Sequence, residues 1–341
     1  LYIMSDILKS TKRNFACIGS VYELALKEEN CTIDIKNESG VKINSINSKC
    51  IKGNVAIKTK DGIHTFDVYF NQHNSDGNVN QRWTMAQAML AWTPQINGNG
   101  TPATIVNING MIDGNDYVRK DGELTYTLRW RTMQANTKLP ENPKMSCSLT
   151  GVFYVNKIVE EQDRKQNLTG RLAVELLSVN NKGEVFPVNV IVPDDLVSDF
   201  QDIYPVKSSA YMEFNVIMKH IGGQTNEKLS FGHKADQDTS NSYDIKEIIL
   251  VGANDPYEEP EEQYTEDENG NQIEVPTQWI NPKVVQKALK ERAAYLERLK
   301  ADGHKTSNTK SFDQTVKRAN NKINSAQMSN DFEDDDPNSI F

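Results

Sequence analysis

The stretch "YTLRWRTM" (126–133) sets two guanidinium groups two residues apart, with an indole between them. Successive side chains of a β-strand alternate between faces, so Arg129 and Arg131 share one side while Tyr126, Leu128 and Trp130 share the other. Two arginines on the solvent side can follow the phosphates of a polyanion; the reverse orientation would bury two unpaired cations at high cost. That phase turns Trp130 towards a core, yet its ring is kept among the candidate stacking surfaces. Residues of the same chemical kind recur along the chain. In "HTFDVYF" (64–70) Phe66, Val68 and Phe70 share a core-like face and leave Tyr69 as an exposed platform. In "NQRWTMAQ" (80–87) Trp83 is expected to pack a helix while Arg82 reaches outward. Phe153 and Tyr154 point oppositely, and Tyr154 is expected to be the outer ring. Lys165 and Arg171 flank one inter-strand loop, and Tyr211 and Lys219 share the phase of a later strand. Cations near flat rings suit an unpaired nucleic acid strand, because every base has a π-face and each good stack contributes about 1–3 kcal/mol.

Motifs for catalysis do not compete with this reading. "NGNGTP" lacks the lysine of a phosphate-cradling loop, no HExxH or Gly-x-Ser-x-Gly is present, and the five histidines are scattered. Asp194 and Asp195 read as helix caps. Cys17, Cys31, Cys50 and Cys147 lie far apart without a CxxC, so neither zinc nor a disulfide framework is expected, and the thiols read as those of a reduced, cytoplasmic chain. No enzyme activity, metal or cofactor is expected. No apolar run reaches the roughly 18 residues a membrane helix needs, and the start lacks the pattern of a secretory signal.

The elements that must position these residues read as strands over 14–253. "NFACIGSVYELAL" (14–26), "CIKGNVAIKTK" (50–60) and "IHTFDVYF" (63–70) are strands, the last two joined at Asp61-Gly62, a strong hairpin signal. Residues 79–92 have helical spacing; 104–112 and 123–133 return to strand across a turn-rich "DGNDYVRKDG". The second half repeats the order with strands at 148–160, 170–179 and 184–193, a short helix at 194–204, and strands at 210–221 and 243–252. Strand–strand–strand–helix–strand–strand, twice, predicts a mainly β fold of two OB-like five-stranded barrels in tandem. The expected organisation is an arm (1–13), a first OB-like domain (14–140), a second (141–253), an acidic linker (254–280), an amphipathic helix (281–303) and a disordered tail (304–341).

Charge is divided among these parts. The formal net charge is −9 from 38 bases and 47 acids. Segment 254–276 carries nine acids and no base, and the last eleven residues, "DFEDDDPNSIF", carry five acids and no base. Without those 14 acids the rest holds 33 acids against 38 bases, a net of +5. The acid therefore sits in two segments and the body is mildly basic.

The OB-like order and the ending Asp334-Asp335-Asp336-Pro337-Asn338-Ser339-Ile340-Phe341 resemble single-stranded DNA-binding proteins (SSBs), particularly those of bacteriophages. The resemblance implies that the body coats single-stranded DNA without sequence preference. It also implies that Ile340 and Phe341, with Pro337, enter a pocket on a replication or recombination protein (a polymerase, primase or helicase) while Asp334, Asp335 and Asp336 meet its basic rim. The residues between Pro337 and Phe341 depart from the bacterial pattern, where an acidic run ends directly in Pro-Phe. Localisation would be the cytoplasm of a bacterial host. The alternatives are a recombination mediator or annealing protein, and a β-rich phage structural or assembly protein.

Overall fold

The computed structural model describes residues 8–303 apart from 38, 97–99, 164, 222–242, 261–263, 267–271 and 275–276. The first half comprises β1 (Arg13–Lys36), β2 (Lys42–Thr59), β3 (Gly62–Asn71), α1 (Trp83–Met89), β4 (Ile105–Val118) and β5 (Leu124–Asn136). The second comprises β6 (Cys147–Gln162), β7 (Leu168–Val179), β8 (Val185–Val192), a 3₁₀ turn at Asp194–Leu196, α2 (Val197–Ile203), β9 (Ser209–Ile221) and β10 (Tyr243–Ala253). Then follow β11 (Tyr264–Glu266), β12 (Gln272–Glu274) and α3 (Pro282–Gly303). The chain is mainly β, as its alternating pattern demands. In β3, for example, His64, Phe66, Val68 and Phe70 are buried while Thr65 and Tyr69 are exposed.

Within the first half β1 pairs with β2, β2 with β3, β3 with β5, β5 with β4, and β4 with β1, so the pairing returns to its start. All these pairings are antiparallel except β3 with β5, which run parallel through Asp67 and Arg131. The second half repeats the circuit as β6, β7, β8, β10, β9 and back to β6, with a parallel step between β8 and β10 at Ile191 and Ile249. Short helices fill both circuits: Trp83, Ala86 and Met89 of α1 and Phe200 of α2 are buried in the main core. Gly53 permits the tight wrap of β2 on β1; its φ is +138°, and a Cβ there would lie 1.9 Å from the Ala25 carbonyl oxygen.

The two circuits are one sheet of ten strands, because Arg13–Cys17 of β1 pair antiparallel with Cys147–Gly151 of β6. One edge of β1 serves β6 first and is handed to β2 at Ser20; β6 serves β1 first and is handed to β7 at Tyr154. The start of each circuit thus grips the start of the other, and a single apolar cluster runs from Phe15, Phe66 and Trp130 through Cys147 and Leu149 to Phe153 and Phe214.

A second cluster lies outside the second circuit. Leu8, Ile280 and Val285 pack with Val152, Tyr154, Leu177, Val179 and Val185, flanked by Val284, Ala288 and Leu289. The start of α3 therefore covers the outer face of β6 and β7. Further along α3, Arg292 donates to Asp116 at 2.6 Å and to the Val185 carbonyl at 3.3 Å, with its guanidinium 5.5 Å from the Tyr126 ring centre. Tyr126 in turn donates to the Pro187 carbonyl at 2.5 Å. The first part of the helix stripe is thus buried on the second half, Arg292 reaches across to the first, and Tyr295 stays exposed.

Four local expectations need correction. "DGNDYVRKDG" is not a loop throughout: β4 continues to Val118, paired with β5, and the turn is confined to Arg119–Glu123. β1 and β2 extend beyond residue 26 and before residue 50 as an arm, zipped by Lys49–Glu28 at 2.6 Å, Lys52–Glu29 at 2.5 Å and Lys42–Asp34 at 2.8 Å. The acidic segment is not simply a linker. Asn254 and Tyr257 donate backbone N–H bonds to Tyr211 and Ser209 of β9, and β11 and β12 pair with each other. Asp194 and Asp195 make no capping hydrogen bond; they lie in the 3₁₀ turn before α2.

Arg13 ties these parts at the seam. It is 3% exposed, forms an ion pair with Asp113 at 3.1 Å, and donates to the carbonyls of Ile112 and Val179 at 2.9 and 3.2 Å. Removing one member of a buried charge pair strands the other and typically costs about 3–5 kcal/mol. Arg13→Ala is expected to lose stability on that order in urea unfolding, with Arg13→Lys intermediate because an ammonium cannot reproduce the guanidinium fork.

Candidate nucleic-acid interface

The outer face of β2, β3 and β5 gathers three of the residues read from the sequence. Tyr69 is 54% exposed and sits opposite Lys52 across the β2–β3 ladder. Arg129 and Arg131 follow on the neighbouring β5, outward because the intervening Trp130 points inward. Arg129 Nε bonds Asp67 Oδ2 at 2.9 Å, so its charge is engaged on its own face. Arg131 is less committed: its side chain is 53% exposed, it lies 3.6 Å from Asp113, and Asp113 already holds Arg13 at 3.1 Å. Exposed ion pairs of this kind contribute about 0–1 kcal/mol, so a phosphate can displace them cheaply. Arg82 is exposed at the entry to α1.

Two expected stacking rings are excluded by burial. Trp130 is 4% exposed and packs against Phe15 and Phe66, at ring-centre distances of 5.3 and 6.4 Å. Its other neighbour is the Lys246 amine, 4.7 Å from the ring centre. Tyr154 is 1% exposed, although alternation does turn it away from Phe153. The face it turns to is covered by Leu8 and the start of α3, so both sides of β6 are interior. Neither ring can stack a base from these positions.

In the second half, Arg171 and Lys219 meet, but over carboxylates. Arg171 forms a fork on Glu161 with two 2.6 Å bonds and reaches Glu247 at 3.3 Å, and Lys219 bonds Glu247 at 3.1 Å. Two cations and two carboxylates leave no net charge there. The Arg171 fork and the Thr169 hydroxyl lower the Glu161 pKa even though burial opposes them. Tyr211 shares the phase of Lys219 but is not beside it: it packs against the second cluster, and its carbonyl accepts the N–H of Asn254. Lys165 is exposed in the β6–β7 turn. The acidic tip, Asp334 to Asp336 with Pro337, Ile340 and Phe341, lies outside the described residues.

Sequence reasoning missed the β1–β2 arm, which carries exposed Lys27, Lys36, Lys42 and Lys49. Its signal was present in the alternation of "CTIDIK" (31–36) and in the turn residues that precede "VKINSINSK" (41–49). Among the described residues no group of His, Cys, Asp and Glu is placed to hold a metal ion. Nor is any helix among the described residues long and apolar enough to cross a membrane.

A family model described as YorF matches residues 23–301, and the chain belongs to the YorF family. No curated protein sequence matches the chain. Solved structures similar to it include the wild-type single-stranded DNA binding protein from Thermus aquaticus, at 9% identity and a TM-score of 0.37, covering 74% of this chain and 97% of that one. A deletion mutant of the same protein matches at 10% identity and a TM-score of 0.38, covering 74% and 99%.

His64, beneath this face, is fully buried, with Nε2 3.2 Å from Thr59 Oγ1 and no partner at Nδ1. Burial, aided by the nearby Lys246 charge, pushes its pKa from 6.5 down to about 4. An unfolded chain therefore binds this proton as pH falls below 6.5, whereas the folded chain resists until about 4. The stability present above the first value is lost across that window, on the order of 3 kcal/mol in full. Urea midpoints measured from pH 7 to 4 should fall, and His64→Gln should show a flatter slope than the parent.

Proposed function

We propose that this chain binds single-stranded DNA without sequence preference, through two OB-type barrels formed by residues 14–140 and 141–253. The observation that supports the reading best is the strand circuit itself. Each half closes five strands in the order first, second, third, fifth, fourth, with a parallel third–fifth step and a helix between third and fourth. An OB-fold is such a Greek-key barrel, and its second and third strands, with the adjoining loops, form the face that receives oligonucleotides. On the first circuit that face carries Lys52 and Tyr69 beside the lysine-bearing arm, with Arg129 and Arg131 on the adjoining fifth strand. The mechanism is capture of phosphates by cations, followed by stacking of bases on exposed rings. No covalent chemistry is involved. The tip at 334–341 serves, in this proposal, as a docking segment for replication or recombination proteins, its acidic run meeting a basic rim and its Ile-Phe end an apolar pocket.

Fluorescence anisotropy with labelled oligothymidine and a duplex of equal length tests the reading. Single-stranded binding should be the tighter, and log affinity should fall linearly with log salt. Arg131→Ala should shrink that salt slope by about one, and Tyr69→Ala should cost about 1–3 kcal/mol of affinity. Equal affinity for duplex, or binding indifferent to salt, would refute it.

A further inference from the structure

We propose that Cys17 and Cys147 form a disulfide-bonding pair which, once oxidised, ties β1 to β6 and staples the two strand circuits together. The two residues are 130 positions apart in the chain but are direct Cα partners at the end of the β1–β6 ladder. Hydrogen bonding fixes what kind of pair they are. The Ile18 N–H donates to the Ser146 carbonyl at 3.0 Å, and the Val152 N–H donates to the Lys12 carbonyl at 2.8 Å. Hydrogen-bonded pairs therefore fall on the even residues of β1, and Cys17–Cys147 is a non-hydrogen-bonded pair. At such positions opposed Cα atoms lie about 4.5 Å apart with the side chains at their closest, inside the span of roughly 4.4–6.8 Å that disulfides bridge. Both side chains belong to the same apolar cluster, and both cysteines are buried and free.

The cysteines judged remote in sequence are thus adjacent across the seam. Cys31 and Cys50 are related only diagonally: Cys31 lies opposite Ser48, and Cys50 opposite Glu29. The junction pair alone has direct cross-strand register among the described residues. Its reactivity is held back by its surroundings. The neighbouring thiol and burial raise the Cys17 pKa, and only the Lys246 ammonium beside the pair favours the thiolate. Exchange then requires opening of the seam or oxidation before it closes.

With a small dialkyl disulfide as oxidant the step balances. One protein thiolate attacks a sulfur of the reagent, breaking its S–S bond and releasing a thiolate. The second protein thiolate attacks the protein sulfur of that mixed disulfide and releases the other reagent thiolate. The two protein protons end on the two released thiols, so the protein loses two electrons and the reagent gains them. The product closes a long loop and restricts the unfolded chain.

The full-length protein, unfolded in urea and refolded in buffers of reduced and oxidised glutathione, tests this without reference to DNA. After alkylation and digestion, mass spectrometry should find the peptides bearing Cys17 and Cys147 joined and lighter by two hydrogens. The oxidised protein should melt several degrees above the reduced, and Cys147→Ser should abolish that redox dependence. A Cys31→Ser/Cys50→Ser chain should still form the link; if it does not fold, peptide mapping of the parent decides alone. Separate glutathione adducts at Cys17 and Cys147, or both thiols still free where the unfolded chain oxidises, would overturn the proposal.

Discussion

The short antiparallel ladder between β1 and β6 is the constraint on which the rest of the molecule depends. Five residues on each strand, Arg13–Cys17 and Cys147–Gly151, leave one strand circuit to pair with the other before each strand returns to its own. The cost is that β1 and β6 must change neighbours midway, and both do so near an irregularity in register. The gain is a continuous apolar interior. Phe15 stacks on Phe66 at 4.8 Å within its own circuit and lies opposite Leu149 across the seam, as Cys17 lies opposite Cys147. Larger cores bury a greater fraction of the chain, so joining two small circuits stabilises both.

Buried polar groups collect at this seam because it is where the two halves must be matched. Arg13 satisfies carbonyls from both halves. Lys246 belongs to the second circuit yet lies over Trp130 of the first, and burial lowers its pKa. Such groups are costly unless partnered, and their partners exist only when the halves meet in one register. They therefore specify the docking geometry more than they strengthen it.

The same packing divides the surface unequally. Leu8, Ile280 and the start of α3 cover the outer face of β6 and β7, and the charges further round the second circuit are matched among Arg171, Lys219, Glu161 and Glu247. On the first circuit the outer face of β3 and β5 stays open, with Tyr69 and Arg131 exposed. Two halves of like topology thus present different chemistry to solvent. The difference arises both from what packs over the strands and from how the strands' own charges are paired.

Sequence alone determined the local structure. Period-two alternation in "HTFDVYF" placed Phe66 inside and Tyr69 outside, Asp61-Gly62 placed a hairpin, and helical spacing at Trp83, Ala86 and Met89 placed α1. These are nearest-neighbour effects, written in the order of residues, and they carried the mainly β reading and the phase of Arg129 and Arg131. What sequence could not contain was whether a second layer would cover an outward face. Alternation turned Tyr154 away from Phe153 correctly, but only the arrival of residues 280–289 made that direction interior. Nor could spacing show that Cys17 and Cys147 are opposed, or that Arg171 is matched by Glu247, because those contacts join segments 130 and 76 positions apart. Tertiary structure decided them, since burial and pairing belong to whatever the folded chain lays against a residue, and a side chain's own strand fixes only the direction it points.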